Sequence, residues 1–130
     1  MRVHHIGIVC SNIKEYIKQN EFIWQNVNVS EVIYNKVQKV NECFINFENE
    51  VSIELLEPLG EKSPVFKFLE SGGGMHHICY QVENINQAIK DSREKGAIVV
   101  CKPIPDIAFE GGLIAFIKYE KNLIEFLQKN

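Results

Sequence analysis

The chain repeats itself, and this limits its possible folds more than any other feature. Val3-His4-His5-Ile6 returns as Met75-His76-His77-Ile78, 72 residues further on. Asn12-Ile13 and Ile17-Lys18 return as Asn84-Ile85 and Ile89-Lys90 at the same offset. Ile53-Glu54-Leu55-Leu56 returns as Ile124-Glu125-Phe126-Leu127 at an offset of 71. Four matches in one order, with a drift of one residue, mean two copies of one structural unit.

Each copy opens on an alternating, β-branched stretch, 3–10 and then 75–82, which reads as a strand. Asn12 and Asn84 follow at helix-starting positions and suit N-caps. The helices are expected over about 13–20 and 85–95, the second stopped by Gly96. Three strands follow in each half: 30–34, 37–47 and 51–56, then 97–102, 113–119 and 122–127. The expected fold is therefore α+β, two tandem β-α-β-β-β modules forming one metal-centred β-sheet cup. It is read as a single domain over 1–130, with module one at about 1–58, a linker at 59–74 and module two at about 75–130. Phe66 to Leu69 within the linker suits a helical turn or two.

The composition agrees with a globular chain. The 130 residues are 45% hydrophobic and 24% charged, enough to bury a core without disulfide staples. The net charge of −3 argues against a basic nucleic-acid surface. No apolar run reaches membrane-spanning length, and the first residues lack the pattern of a signal peptide. Cys10, Cys43, Cys79 and Cys101 are widely spaced and form no Cys-x-x-Cys pair. They are expected as reduced thiols, mostly buried or half-buried in strands, in a cytoplasmic protein.

The repeat singles out four residues for chemistry. Each half supplies one His on its first strand, His5 and His77, and one Glu on its last, Glu54 and Glu125. Strand alternation puts His5 on a face with Gly7 and Val9, and Glu54 on a face with Leu56. A Glu set among Ile and Leu is costly to bury alone, and here that happens twice at matched places. Two imidazoles and two carboxylates suit a divalent ion such as Zn, Ni, Co, Mn or Fe. Taken singly, each His reads better as an ordinary core or surface residue and each Glu as the partner of a Lys or Arg. The duplication of the set favours the metal. His4 and His76 alternate away from the proposed ligands and are read as structural, with a supporting role open to them. Glu42 shares a strand face with Val40 and Phe44. If that face points into the cup, Glu42 is a base beside the metal; if it points out, it is a solvated charge. Gln38 is a weaker polar pocket residue. No Gly-x-Ser-x-Gly is present, and Gly72-Gly73-Gly74 and Gly111-Gly112 lack phosphate-loop and dinucleotide spacing.

These residues resemble the vicinal oxygen chelate superfamily, which includes glyoxalase I, methylmalonyl-CoA epimerase, extradiol dioxygenases and bleomycin-resistance proteins. The likeness covers nearly the whole chain and is strongest to the methylmalonyl-CoA epimerases. It is carried by Ile53-Glu54-Leu55-Leu56-Glu57-Pro58-Leu59-Gly60, by Ser63-Pro64 and Phe68-Leu69, and by Gly73-Gly74-Met75-His76-His77-Ile78-Cys79. Gln38-Lys39-Val40 and Leu123-Ile124-Glu125 also fit. The resemblance implies metal ligands at His5, Glu54, His77 and Glu125. Glu54 stands where some epimerases carry Gln, and it gives the two-His, two-Glu set of glyoxalase I. Glu42 aligns with an acid used as a base in some epimerases. The short first helix and Lys118-Tyr119-Glu120-Lys121 depart from the family pattern, in loops that help to form a substrate mouth.

The implied activity is a divalent-metal-dependent isomerase or lyase that works through an enolate, with Glu125 as ligand and base and Glu42 or Glu54 across from it. The substrate would be a small thioester or, for a glyoxalase I-type lyase, a hemithioacetal. A non-catalytic antibiotic-binding protein and a ring-cleaving dioxygenase are the other readings. An intact four-ligand set argues against the first, and the extra Glu against the second. The family commonly pairs its cups, so a homodimer is expected.

Overall fold

The computed structural model describes residues 1–48 and 51–130. Nine strands and three α-helices form among them, so the fold is α+β. The chain divides into two compact units, Ile6–His76 and Met1–His5 with His77–Asn130. The strand that opens the chain, β1 (Arg2–Val9), contributes its first four residues to the second of these.

In the unit Ile6–His76, β1 leads to α1 (Ile13–Gln19), β2 (Asn28–Val29), β3 (Ile33–Asn35), β4 (Val40–Asn46) and β5 (Ser52–Pro58). The sheet order is β2-β4-β5-β1, with β3 also on β4. One face packs Cys10, Ile13, Cys43, Ile45 and Leu55 with Tyr16, Ile17 and Trp24. The other buries Val9, Val40, Leu56 and Val65 beneath Phe68 and Leu69, both on α2 (Phe66–Glu70).

The other unit holds most of β6 (Gly74–Gln81), then α3 (Ile85–Glu94), β7 (Ile98–Asp106), β8 (Gly112–Tyr119) and β9 (Asn122–Gln128). Its order is β6-β9-β8-β7. β6 and β9 run parallel, and the β8 pairings are antiparallel. Val82, Ile85, Ala97, Ala115, Ile117 and Phe126 form the core under α3.

The repeat is visible as duplicated hydrogen bonds. Cys10 N donates to Leu56 O at 2.9 Å, and Val82 N to Leu127 O at 2.8 Å. Asn12 Oδ1 accepts from Glu15 N and Asn84 Oδ1 from Gln87 N, each at 3.0 Å. A second cap comes from the end of the last strand. Ile13 N donates to Glu57 Oε1 at 2.9 Å, and Ile85 N to Gln128 Oε1 at 2.8 Å. The exposed amides of each first helical turn are thus satisfied both locally and by the sheet beneath. Asn84→Ala removes one of these bonds and should lower stability by about 1 kcal/mol, read as a shift in the urea midpoint with an unchanged slope. No shift would mean that the Gln128 bond suffices.

Three boundaries differ from the sequence reading. The strand expected at 30–34 is split into β2 and β3, because Ser30 breaks the ladder. Its N–H donates to Phe44 O at 2.9 Å, while its hydroxyl, not its carbonyl, accepts from Phe44 N at 2.8 Å. β4 starts at Val40 rather than at 37, since residues 36–39 form a turn in which Lys39 has φ of 55°. β7 runs on to Asp106 through Pro103 and Pro105, with shifts in register against β8. It ends its row of strands, where a proline costs no ladder bond.

Candidate metal centre

His5, His77 and Glu125 come together within one unit. His77 lies two residues before Cys79, which is the register partner of Glu125 on β9. Side chains two apart on a strand, or opposite each other across a pair, share a face. That face also carries Cys79, Ile114 and Leu127, packed with Ile104, Phe109 and Phe116. It is the side of the sheet away from α3. The three residues are buried, His5 completely.

Their donor atoms converge. His5 Nε2 lies 2.9 Å and His77 Nε2 3.1 Å from Glu125 Oε1, and the two Nε2 atoms are 3.3 Å apart. Oε1 is nonetheless a buried oxygen that no hydrogen bond of good direction reaches, although both rings stand close enough to stabilise its charge. Unpaired burial of a carboxylate oxygen is costly. A divalent cation removes that cost. Ligand atoms about 2.1 Å from an ion, at right angles to one another, lie about 3.0 Å apart, which is close to the spacings here. Two imidazole nitrogens and a carboxylate oxygen are donors that first-row divalent metals accept.

The electrostatics point the same way. Burial opposes the charge of Glu125, but the His5 and His77 rings outweigh it and hold the carboxyl below its ordinary range. The Cys79 thiol on the same face is pushed up to about 12, chiefly by burial. It is therefore a neutral wall residue rather than a nucleophile at neutral pH. The His5 ring stacks on Phe109 at 5.9 Å, and Phe116 meets His77 edge-on at 5.4 Å. These rings fix both imidazoles without competing for their Nε2 atoms.

His4 departs from simple alternation. Its Nδ1 lies 2.8 Å from His5 Nδ1, so its ring reaches the imidazole beside it. Burial, and then the His5 ring beside it, lower the His4 pKa to about 4. A neutral His4 at the back of His5 leaves His5 Nε2 for the cluster.

Glu54 and Glu42 belong to the other unit. Glu54 on β5 is opposite Phe44, and Glu42 on β4 is opposite Leu56, so the two acids share a sheet face. They are 4% and 3% exposed, which removes the solvated-charge reading of Glu42. Strand alternation fixed that Glu42 sides with Phe44, but it left open which side the helix covers. Leu55 and Cys43 pack with α1 residues, so the face with both acids is the one away from α1. Sequence reasoning missed Asn35. Its Nδ2 donates to Glu42 Oε1 at 2.6 Å, and its Oδ1 accepts from Gln38 N at 3.0 Å. An Asn before a turn reads as turn chemistry, and only its 2% exposure marks it as more. All four cysteines are free thiols, three buried and Cys101 partly so.

Known proteins resemble this chain over much of its length. The chain is 32% identical over 121 residues to the mitochondrial methylmalonyl-CoA epimerase of Dictyostelium discoideum, covering 89% of this chain and 69% of that protein. It is 45% identical over 80 residues to an ethylmalonyl-CoA/methylmalonyl-CoA epimerase of Cereibacter sphaeroides, covering 60% and 59%. A Streptomyces coelicolor methylmalonyl-CoA epimerase, solved with 2-nitronate-propionyl-CoA, superposes with a TM-score of 0.83 at 25% identity. That match covers 99% of this chain and 97% of the other. The sequence profile of the Glyoxalase/Bleomycin resistance protein/Dioxygenase superfamily spans residues 4–116, and with its repeated modules and its convergent His5, His77 and Glu125 the chain belongs to that superfamily.

Proposed function

We propose that this protein is a methylmalonyl-CoA epimerase-type isomerase, which inverts the carbon between the thioester and the carboxylate of a small 2-substituted malonyl-CoA. The observation that carries the reading is the buried meeting of His5, His77 and the otherwise unpartnered Glu125 oxygen. The epimerase relatives, which this chain spans over 69% and 59% of their length, supply the substrate class.

In this proposal Glu54 completes a set of two imidazoles and two carboxylates with His5, His77 and Glu125. Its burial, and its place as the repeat mate of Glu125, support that. Zn, Ni, Co or Mn suits such mixed nitrogen and oxygen donors. A divalent ion held by these residues would supply positive charge to offset the negative charge that develops as the α-proton leaves.

The chain's own residues move the proton. Epimerisation breaks a C–H bond on one face and forms one on the other, so it needs a carboxylate and a carboxylic acid on opposite sides, or one mobile group. Glu125, whose carboxyl the His5 and His77 rings hold below its ordinary range, is the group that takes the proton in this proposal. Glu42 is the second group. When Glu125 takes the proton, protonated Glu42 returns one to the other face, and both acids leave the turnover with their states exchanged. Proton exchange with water, or turnover in the reverse direction, resets them.

Substrate-dependent α-proton exchange in deuterated water tests the reading, using acyl-CoA thioesters and glutathione hemithioacetals with and without chelator. Exchange and inversion are expected with a 2-substituted malonyl-CoA, lost on chelation and restored by one of the four metals. Turnover of hemithioacetals alone would make the protein a glyoxalase I-type lyase. No exchange with either class would leave a binding protein.

We assign a homodimer and a cytoplasmic setting as well. Ile98 and Val100 are 67% and 59% exposed on β7, apolar surface that a second copy would cover. Four free thiols suit a reducing compartment. Among the described residues, no helix is long and apolar enough to cross a membrane. Sedimentation at micromolar concentration is expected to give twice the 15.0 kDa chain mass; a monomer alone would overturn the dimer.

A further inference from the structure

We infer that Asn35 is the positioning residue for the second proton-transfer group, Glu42; the inference rests on the epimerase reading above. In β3, Ile33 is opposite Glu42 and Asn35 is opposite Val40, so the Asn35 amide lies diagonally across from the Glu42 carboxyl on the same face. Tyr34 between them points the other way and is 60% exposed. The amide has no freedom to flip. Its oxygen is used by Gln38 N at 3.0 Å, which leaves its nitrogen to face Glu42 Oε1 at 2.6 Å. Both side chains are at least nine-tenths buried, so the bond is shielded from water.

The arrangement ties the carboxyl to the 36–39 turn. Asn35 closes that turn with one end of its amide and holds Oε1 with the other. With Oε1 fixed, rotation of the Glu42 carboxyl is restrained, and proton transfer falls to a defined direction. A residue chosen only to close the turn would not have to be buried, nor would it need a donor aimed at an acid. A proton-transfer group gains from both, because a carboxyl that swings spends less time aligned with the carbon it serves.

A double-mutant cycle separates this role from a structural one. The four proteins are wild type, Asn35→Ala, Glu42→Gln and the double variant, each loaded with metal. Inversion and deuterium exchange are followed from each pure epimer of the 2-substituted malonyl-CoA. Asn35→Ala should lower the kcat for inversion about 10-fold, the worth of one buried bond to a charged group. KM and metal content should stay near wild type. The loss should fall on exchange from one epimer more than from the other. In the Glu42→Gln background the same change should cost less than about 2-fold, since the group it positions is already disabled.

Equal losses in both backgrounds, or none in either, would overturn the inference. If Glu42→Gln alone leaves inversion unchanged, the role given to Glu42 fails, and that result is distinct from a failure of Asn35. Should Asn35→Ala not fold, Asn35→Asp keeps the oxygen that Gln38 N needs and replaces the amide donor with a second carboxyl, which must share a proton with Glu42 or repel it. It is expected to retain the fold and lose inversion to at least the same degree; wild-type inversion in Asn35→Asp would equally overturn the inference.

Discussion

Glu125→Gln abolishes α-proton exchange while part of the bound metal remains. Gln is nearly isosteric and keeps an oxygen toward His5 Nε2 and His77 Nε2, which stand 2.9 and 3.1 Å from Glu125 Oε1. It loses the negative charge and the basicity. The lost charge weakens metal binding, and the lost basicity removes the proton acceptor. Turnover should fall by about 10³-fold or more, within the range of general acid–base catalysis combined with a weakened metal site. The loss should lie in kcat, with little change in KM, because Gln fills the same space in the ground state. Elemental analysis alongside exchange from each epimer reads the two effects apart. Wild-type exchange with metal retained would leave Glu125 a ligand only and move the base elsewhere.

Glu42→Gln slows inversion by about 10²-fold or more and leaves metal content unchanged. The substitution keeps a partner for Asn35 Nδ2 in the amide oxygen, so the buried bond at 2.6 Å has a neutral replacement and the strand pairing of β4 with β3 and β5 is undisturbed. What disappears is the proton. Exchange from the epimer whose proton faces Glu125 should survive in part, while exchange from the other should not. Near-equal loss from both epimers would mean that Glu42 shapes the pocket rather than moving a proton. Wild-type inversion would return it to a structural acid and shift the reaction toward a proton relay by Glu125 alone.

The repeat made much of this legible before any coordinates. Two copies at offsets of 72 and 71 residues fix which strand begins each module and which ends it. The duplicated bonds Cys10 to Leu56 and Val82 to Leu127 are the physical form of that repetition. They bring the end of each module's first strand beside its last strand. The caps at Asn12 and Asn84 were legible for a local reason: an Oδ1 accepting from the amide three residues on needs only short-range geometry. The strand break at Ser30 was not, because it depends on a hydroxyl reaching an amide fourteen residues away.

Sequence by itself determined the α+β modules, the chemical type of the conspicuous side chains, and the alternation that pairs Glu42 with Phe44 and Glu54 with Leu56. Alternation gives relative faces and nothing more, since a period of two is the same seen from either side. Tertiary packing decided which face is which. Leu55 and Cys43 lie against α1, so Glu42 and Glu54 take the opposite side. Packing also brought Nε2 of His5 and of His77 to one carboxylate oxygen, and turned His4 onto the back of His5. It alone revealed Asn35, because a hydrogen bond across two strands has no signature in the order of residues, only in the fold that sets them side by side.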